Sequence, residues 1–274
     1  MISAPRSAPP LDVGQALRDG WRAFGQAPWL FVGFALLLTA LQLTLQLLQP
    51  ATPADQVRTL DPNALAATWQ SVLAWRYQHL GSYVALILNL LVGTLLNLWG
   101  SCGMVRSAWV ALGGDRPRLS SFTRWDPGAL WRLYVPGFLL GCALLAALFV
   151  LVLAGVALSL VNPLLMVVPG LILLVGSLYV MVSQAFLTQV ALLHDRDPFA
   201  ALARGPAVVA PAWVQVLKLG LLNAGLTLLG LLACGIGLVV VWPLVVCVGT
   251  AGYRQLFGPE DRTGFSRDQT APMA

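Results

Sequence analysis

The densest cluster of ionisable side chains in the sequence is the run His194, Asp195, Arg196 and Asp197. An imidazole beside two carboxylates could bind a cation. The alternative is structural, because His194 and Arg196 would complement the C-terminal end of one helix while Asp197 caps the next. We favour the structural interpretation and predict neither a bound metal nor a cofactor.

A second motif, Gly100-Ser101-Cys102-Gly103, is similar to the tight turn around a hydrolase nucleophile. A cysteine in the nucleophile position needs a nearby base, and no histidine lies in a neighbouring apolar segment. Small residues in such a run instead allow close helix packing. The four cysteines form no CxxC pair, and the sequence has no HExxH or GxxxxGK motif. We therefore predict no catalytic residues.

Uncharged amides within the apolar segments are the remaining candidates for a functional path. The candidate intramembrane polar path consists of Gln42, Gln46, Asn89, Asn97 and Gln184. An amide without a partner is costly in lipid, so these side chains should turn toward other helices. They would either form hydrogen bonds between helices or line a weakly polar path or lipid-headgroup pocket.

These polar residues are set in an exceptionally apolar chain. Of its 274 residues, 58% are hydrophobic and 10% are charged, and the mean hydropathy is +0.78. A soluble domain is about 25% charged. The composition excludes an ordinary soluble enzyme, a disordered protein and a nucleic-acid binder. The net charge of +5 then indicates membrane topology rather than an acidic partner.

Six apolar stretches are long enough to cross a bilayer, which takes about 20 residues. They are predicted at about 29–48, 83–104, 133–161 and 169–193, and as two spans within 213–253 that separate near 234–237. The sequence therefore predicts an all-α fold, a polytopic transmembrane bundle of six spans with interfacial amphipathic helices.

The basic residues fix the expected orientation of this bundle. Of the 16 Lys and Arg residues, all but Arg58 and Arg76 fall on one side. Because positive charge is retained in the cytoplasm, we expect both termini there, in a multi-pass protein of a bacterial plasma membrane. The predicted segments are a cytoplasmic segment (1–28), a membrane domain (29–257) with an outer loop (49–80) and inner loops (113–128 and 194–212), and a disordered polar tail (258–274).

Residues 11–25 predict an amphipathic helix before the first span. Val13, Leu17, Trp21 and Phe24 repeat at helical spacing and share one face. Arginine and aspartate occupy the other face. We expect this helix to lie on the inner leaflet with the apolar face toward the lipid.

Asp-Pro pairs predict three helix starts. Asp61, Asp126 and Asp197 are each followed by proline, which combines an N-cap with a residue suited to the first helical turn. The first pair would open a second amphipathic helix in the outer loop. The helix after Asp197 is expected to be interrupted at Gly205-Pro206.

Five basic residues are candidate contacts with anionic lipid headgroups: Lys218, Arg116, Arg118, Arg124 and Arg132. The arginines lie in or near one inner loop, together with tryptophans that suit the headgroup region. Lys218 follows the start of the fifth span closely enough to reach the inner headgroups. The alternative for Lys218 is a buried functional lysine. We expect membrane lipids as partners and no nucleic acid.

Several segments together resemble a known architecture. They are Ala16 to Trp29, Ala108 to Gly113 with the following Asp115-Arg116-Pro117, Pro169-Gly170, and Gly237 to Tyr253 with its internal Trp242-Pro243. With these features the chain resembles a broad group of uncharacterised bacterial six-helix membrane proteins. That group is similar to the membrane domain preceding the catalytic barrel in some glycerophosphodiester phosphodiesterases. The resemblance implies the fold but no site residues, and no stretch here could hold the barrel.

The leading functional hypothesis is a non-enzymatic scaffold or accessory protein acting on membrane organisation or on a partner. A membrane protein or a second copy of the chain is the candidate partner. A transporter or lipid-handling protein is the alternative, and it predicts that the five amides converge on one cavity. A lipid enzyme would instead gather His194, Asp195 and Arg116 at the inner surface.

Overall fold

A computed structural model of the chain describes residues 11–48, 80–195, 197–233 and 236–266. These residues form helices and turns, without a β-strand among them. The α-helices are α1 (Val13–Gln26), α2 (Pro28–Leu47), α3 (Leu80–Leu112), α4 (Leu119–Thr123), α5 (Pro127–Ser159), α6 (Val167–Ser183), α7 (Leu187–Leu193), α8 (Pro198–Val209), α9 (Trp213–Leu232) and α10 (Ile236–Phe257).

The prediction of an all-α polytopic bundle with six spans is confirmed. Six helical segments are long and apolar enough to cross a membrane: Pro28–Leu47, Val84–Leu112, Pro127–Ser159, Leu164–Leu193, Pro198–Leu232 and Gly237–Phe257. The expected division of the last apolar run is also present, since α9 ends at Leu232 and α10 begins at Ile236. The amphipathic helix predicted after Asp61 lies outside the described residues.

The chain divides into two compact units, 36–97 and the remainder. The described part of the smaller unit contains the second half of α2 and the first half of α3. Within it, the side-chain amide of Asn89 donates a 2.5 Å hydrogen bond to the carbonyl of Leu45. The larger unit contains the other described helices and most of the buried side chains among the described residues.

Aromatic side chains of α2 and α4 pack together in the core of the larger unit. Phe122 of α4 is fully buried, and its ring lies 5.0 Å from that of Phe31 and 5.3 Å from that of Phe34. In contrast, large apolar side chains of α5 and α6 are exposed, including Phe149 at 64% and Leu174 at 64%. Such apolar surface on spanning helices is suited to lipid rather than water.

The helix α1 forms as predicted, and it packs against α10. Its buried residues are Ala16, Gly20, Ala23 and Phe24. A Cβ on Gly20 would lie 2.6 Å from the Cα of Val248, so α1 and α10 approach closely here. The backbone N–H of Asp12 donates to the side chain of Gln255 at 2.9 Å, so the two helices run antiparallel. Small residues permit this approach, while Trp21 remains 61% exposed.

The helix α8 is continuous through Pro206, which corrects the predicted interruption at Gly205-Pro206. A proline inside a helix leaves the carbonyl four residues earlier without its usual donor. That carbonyl belongs to Leu202, and it accepts a 3.2 Å hydrogen bond from the side-chain amide of Gln184. The interruption lies instead in the fourth span, where α6 ends at Ser183 and α7 begins at Leu187.

The Asp-Pro starts of α5 and α8 are confirmed. The carboxylate of Asp126 accepts from the backbone N–H of Ala129 at 3.0 Å, and that of Asp197 accepts from Phe199 at 3.2 Å. In each helix proline occupies the first turn, where a backbone N–H would have no helical partner. Local sequence thus sets where these helices begin.

Candidate functional site

The most deeply buried charged side chain of the described residues is Arg106, near the end of α3. Its relative exposure is 2%, although the chain around it is largely apolar. A guanidinium carries five N–H donors, and leaving them unsatisfied away from water is costly. The distribution of basic residues places Arg106 on the inner side and does not predict its burial.

The hydrogen bonds of Arg106 join three segments of the chain. Its Nε donates to the carbonyl of Phe265 at 3.1 Å, and its Nη1 donates to the carbonyls of Ser121 at 3.4 Å and Arg124 at 3.3 Å. Its Nη2 lies 3.8 Å from the carboxylate of Asp126. The guanidinium also lies 4.2 Å from the ring centroid of Phe265. Arg106 therefore holds both the α4 segment and the C-terminal tail against α3.

Close packing of α4 on α3 depends on Gly103, one turn before Arg106. A Cβ at this position would lie 2.2 Å from the carbonyl oxygen of Phe122. Any side chain larger than hydrogen would displace α4. The motif that contains Gly103 and the buried Cys102 thus serves close packing, as the sequence predicts.

A turn in the tail is organised by the carboxylate of Asp261. It accepts hydrogen bonds from the backbone N–H groups of Thr263 at 3.1 Å, Gly264 at 2.9 Å and Ser266 at 2.7 Å, and from the Ser266 hydroxyl at 2.6 Å. Burial alone would raise the pKa of Asp261, but the hydrogen bonds from Ser266 and Thr263 outweigh burial and lower the pKa. The turn is therefore built around the ionised carboxylate.

Residues 258–266 are ordered, in contrast to the disordered tail expected from position 258. Phe265 is 2% exposed beneath Arg106, and the hydroxyl of Thr263 donates to the carbonyl of Leu192. The polar composition of the tail does not indicate this order, because the order arises from hydrogen bonds that the polar groups of the tail form with one another and with α7. The rest of the predicted tail lies outside the described residues.

The cluster around His194 is held by arginines. The guanidinium of Arg262 lies 3.2 Å from His194 Nε2, and Arg204 forms a 2.7 Å ion pair with Asp195. Burial, followed by the charges of Arg262 and Arg204, lowers the pKa of His194. Because arginine can only donate, Nε2 accepts and the imidazole is neutral. Arg196 lies outside the described residues. Among the residues that the structure describes, no group of three or more His, Cys, Asp or Glu side chains could hold a metal ion.

A polar cleft of about 450 Å³ lies between α1 and the ends of α3 and α10. Its polar side chains are those of Gln15, Asp19, Arg22, Gln26, Arg254 and Gln255. Gln26 donates to the carbonyl of Ala111 at 2.9 Å, and Arg254 donates to that of Leu112. The cleft contains none of the site residues that the sequence predicted.

The predicted polar path is divided between the two units. Gln42, Gln46, Asn89 and Asn97 belong to the smaller unit, and Gln184 belongs to the larger. Asn89 bonds to the backbone of α2, whereas Asn97 donates to the carbonyl of Gly93 in its own helix at 3.3 Å. Gln42 is half-buried and Gln46 is exposed. The hydrogen bonds described for Asn89, Asn97 and Gln184 are all to backbone carbonyls.

The predicted headgroup contacts differ in exposure. Arg116 and Arg118 are exposed in the loop after α3, and Lys218 is exposed on α9. Arg132 is half-buried and bonds to the carbonyl of Gly128 in its own helix at 3.3 Å. Arg124 is also half-buried, and its backbone carbonyl serves Arg106.

No protein-family model, curated protein or solved structure matches this chain. The resemblance to the six-helix group therefore stays a prediction.

Two signals in the sequence mark the residues that sequence reasoning missed. Arg106 lies two positions beyond the predicted second span, at the end of a long apolar run where an arginine needs partners within the protein. Phe265 is an isolated aromatic in an otherwise polar tail. Neither signal identifies the other residue as its partner, because 159 positions separate them.

We expect Arg106→Gln to release the tail and to destabilise the larger unit by about 3 kcal/mol, since it leaves three carbonyls without their donor and Asp126 without the nearby positive charge. Thermal unfolding in lipid nanodiscs measures the stability, and tryptic cleavage after Arg262 measures tail release. Arg132→Gln is the matched control, with an expected change below about 1 kcal/mol. Equal cleavage rates in the wild type and Arg106→Gln would contradict the assigned role.

The bond between Gln184 and Leu202 predicts coupling between positions 184 and 206. Gln184→Leu should destabilise the wild type by about 1 kcal/mol, because the Leu202 carbonyl loses its donor. In a Pro206→Ala background the backbone N–H of residue 206 can donate to the Leu202 carbonyl, so Gln184→Leu should cost less stability there. Thermal unfolding of the four proteins of this cycle provides the measurement. Additive effects would show that Gln184 does not compensate for the proline.

Protonation of His194 at acidic pH should lower the free energy of unfolding. Its folded pKa is lowered from 6.5, so the unfolded state takes up the proton first. The contribution is therefore complete above about pH 6.5 and is lost as the pH falls through the folded pKa. Unfolding midpoints at about pH 7.5 and 5.5 should differ less in His194→Gln, whose amide can still accept from Arg262. An unchanged difference would refute this assignment.

Proposed function

We propose that this integral membrane protein is a non-enzymatic scaffold or accessory protein that presents a fixed surface to a partner. Its six long apolar helices make it a multi-pass membrane protein. The proposed setting is a bacterial plasma membrane with both termini in the cytoplasm. The unequal distribution of Lys and Arg in the sequence supports this orientation.

The observation that supports a scaffold is the anchoring of the segment between α3 and α5 on α3. Arg106 and the close contact at Gly103 hold this segment from beneath. Its outer side exposes Arg118, Leu119 and Trp125. Arginine and tryptophan are the residue types that most often dominate protein interfaces, and a pre-ordered surface lowers the entropic cost of association.

Anionic lipid headgroups are the second proposed partner at this surface. Arg116, Arg118 and Lys218 are exposed and free to reach them, and Trp125 and Trp131 suit the same region. Arg124 and Arg132 are less suited, because both are half-buried. Lipid attraction would orient the segment, while a protein partner would supply the specific function.

The alternative of a transporter or lipid-handling path has weaker support. Asn89, Asn97 and Gln184 each donate to a backbone carbonyl. Such bonds satisfy polar groups within apolar surroundings and require no solute. A path through the five amides would need these bonds to be exchanged during transport.

Native mass spectrometry of the protein extracted with its surrounding lipid tests the proposal. We expect a stoichiometric protein partner, or a second copy of the chain, that is lost from the double variant Arg118→Ala/Trp125→Ala. The matched control is Arg18→Ala/Trp21→Ala, which removes the same two residue types from exposed positions on α1. A chain that carries no stoichiometric protein would contradict the accessory function. A bound solute lost on substitution of Gln42 and Gln46 would favour transport.

A further inference from the structure

The polar cleft lies at the depth of the membrane surface. It is bordered by the end of α3 and by Arg254 and Gln255 in the last turn of α10. The spanning part of α10 has 21 residues, which covers about 30 Å as a helix and matches the hydrocarbon thickness. Its last turn therefore reaches the level of the lipid headgroups, and so does the cleft.

The cleft carries charges of both signs. Arg22 and Arg254 supply two guanidiniums, and Asp19 supplies a carboxylate. The side chain of Arg22 is 79% exposed and lies 3.7 Å from Asp19, so their mutual attraction is weak and either group can take another partner. Arg254 is fixed by the carbonyl of Leu112 and by the ring of Trp109, 5.5 Å from its guanidinium, which leaves further N–H donors.

Two amides lining the cleft have one polar atom unused. Gln26 donates through Nε2 to the carbonyl of Ala111, and its Oε1 has no hydrogen-bond partner among the described residues. Gln255 accepts through Oε1 from the backbone of Asp12, and its Nε2 has no partner in the same described ranges. One acceptor and one donor therefore remain beside the charged groups.

We propose that this cleft binds the headgroup of a zwitterionic phospholipid of the phosphoethanolamine type. The donors of Arg22, Arg254 and Gln255 bind the phosphate. The carboxylate of Asp19 and the Oε1 of Gln26 accept from the primary ammonium. The site is separate from the exposed arginines after α3, and it goes beyond the proposed accessory function.

The three common phospholipid headgroups would meet the cleft differently. A primary ammonium donates three hydrogen bonds to oxygen acceptors such as those of Asp19 and Gln26. A quaternary choline has no N–H to donate and is better recognised by aromatic rings. A glycerol headgroup has no cation, so Asp19 would gain no partner from it and would lie near a phosphate of the same charge. The residue set therefore favours ethanolamine over choline and glycerol.

The test uses the full chain in nanodiscs that contain phosphatidylethanolamine, phosphatidylcholine and phosphatidylglycerol in equal amounts. Native mass spectrometry then counts the lipid retained by each protein. We expect a preference of about three- to fivefold for phosphatidylethanolamine, and a similar loss in Arg22→Gln. Asp19→Asn should remove the preference over phosphatidylglycerol while phosphate binding persists. Arg18→Gln, exposed on the same helix but outside the cleft, is the matched control.

Equal retention of the three lipids would overturn the proposal, as would a loss in Arg18→Gln as large as that in Arg22→Gln. Thermal unfolding of each variant shows whether the fold is intact. In a further arm, free phosphoethanolamine is added to the protein in phosphatidylcholine nanodiscs. The assignment to a lipid would be overturned if this soluble compound binds in a manner that depends on Arg22 while phosphatidylethanolamine is not retained. None of these outcomes depends on the protein partner of the accessory function.

Discussion

The arrangement of the larger unit depends on the burial of one guanidinium, that of Arg106. A buried charge is unfavourable unless its hydrogen bonds are complete, so Arg106 imposes a position on every segment that supplies an acceptor. Its three carbonyl partners lie in the short α4 segment and in the tail. These segments are too short to be stable by local hydrogen bonding alone. The hydrogen bonds that offset the cost of burying Arg106 therefore also hold the α4 segment and the tail in place.

The same principle recurs where other helices end or are interrupted. Gln184 supplies the donor that Pro206 lacks, and Gln26 and Arg254 bond to carbonyls at the end of α3. Backbone carbonyls in apolar surroundings require such partners, because little water is available to them. Much of the polar chemistry in this chain thus completes the backbone, which explains why polar residues in the spans are a poor guide to function.

Sequence alone predicts those features that depend on neighbouring residues or on bilayer thickness. The six spans follow from apolar length, and the start of α5 follows from Asp126 and the proline after it. Features that depend on distant partners were missed. The continuity of α8 requires Gln184, and the order of the tail requires contact between Phe265 and Arg106. Which face of α1 packs against the protein depends on the close approach of Gly20 to Val248, which the local sequence does not reveal.

The helix α1 links the fold to the proposed headgroup site. It is fixed at Asp12 by Gln255, at Gly20 by close contact with α10, and near its end by the bond from Gln26 to the end of α3. The walls of the cleft are therefore held before any ligand arrives, and binding costs little additional ordering. Asp19 and Arg22 lie between these fixed points and are the side chains left to adapt to a headgroup. A helix that packs through its small residues can thus keep its polar face for a ligand.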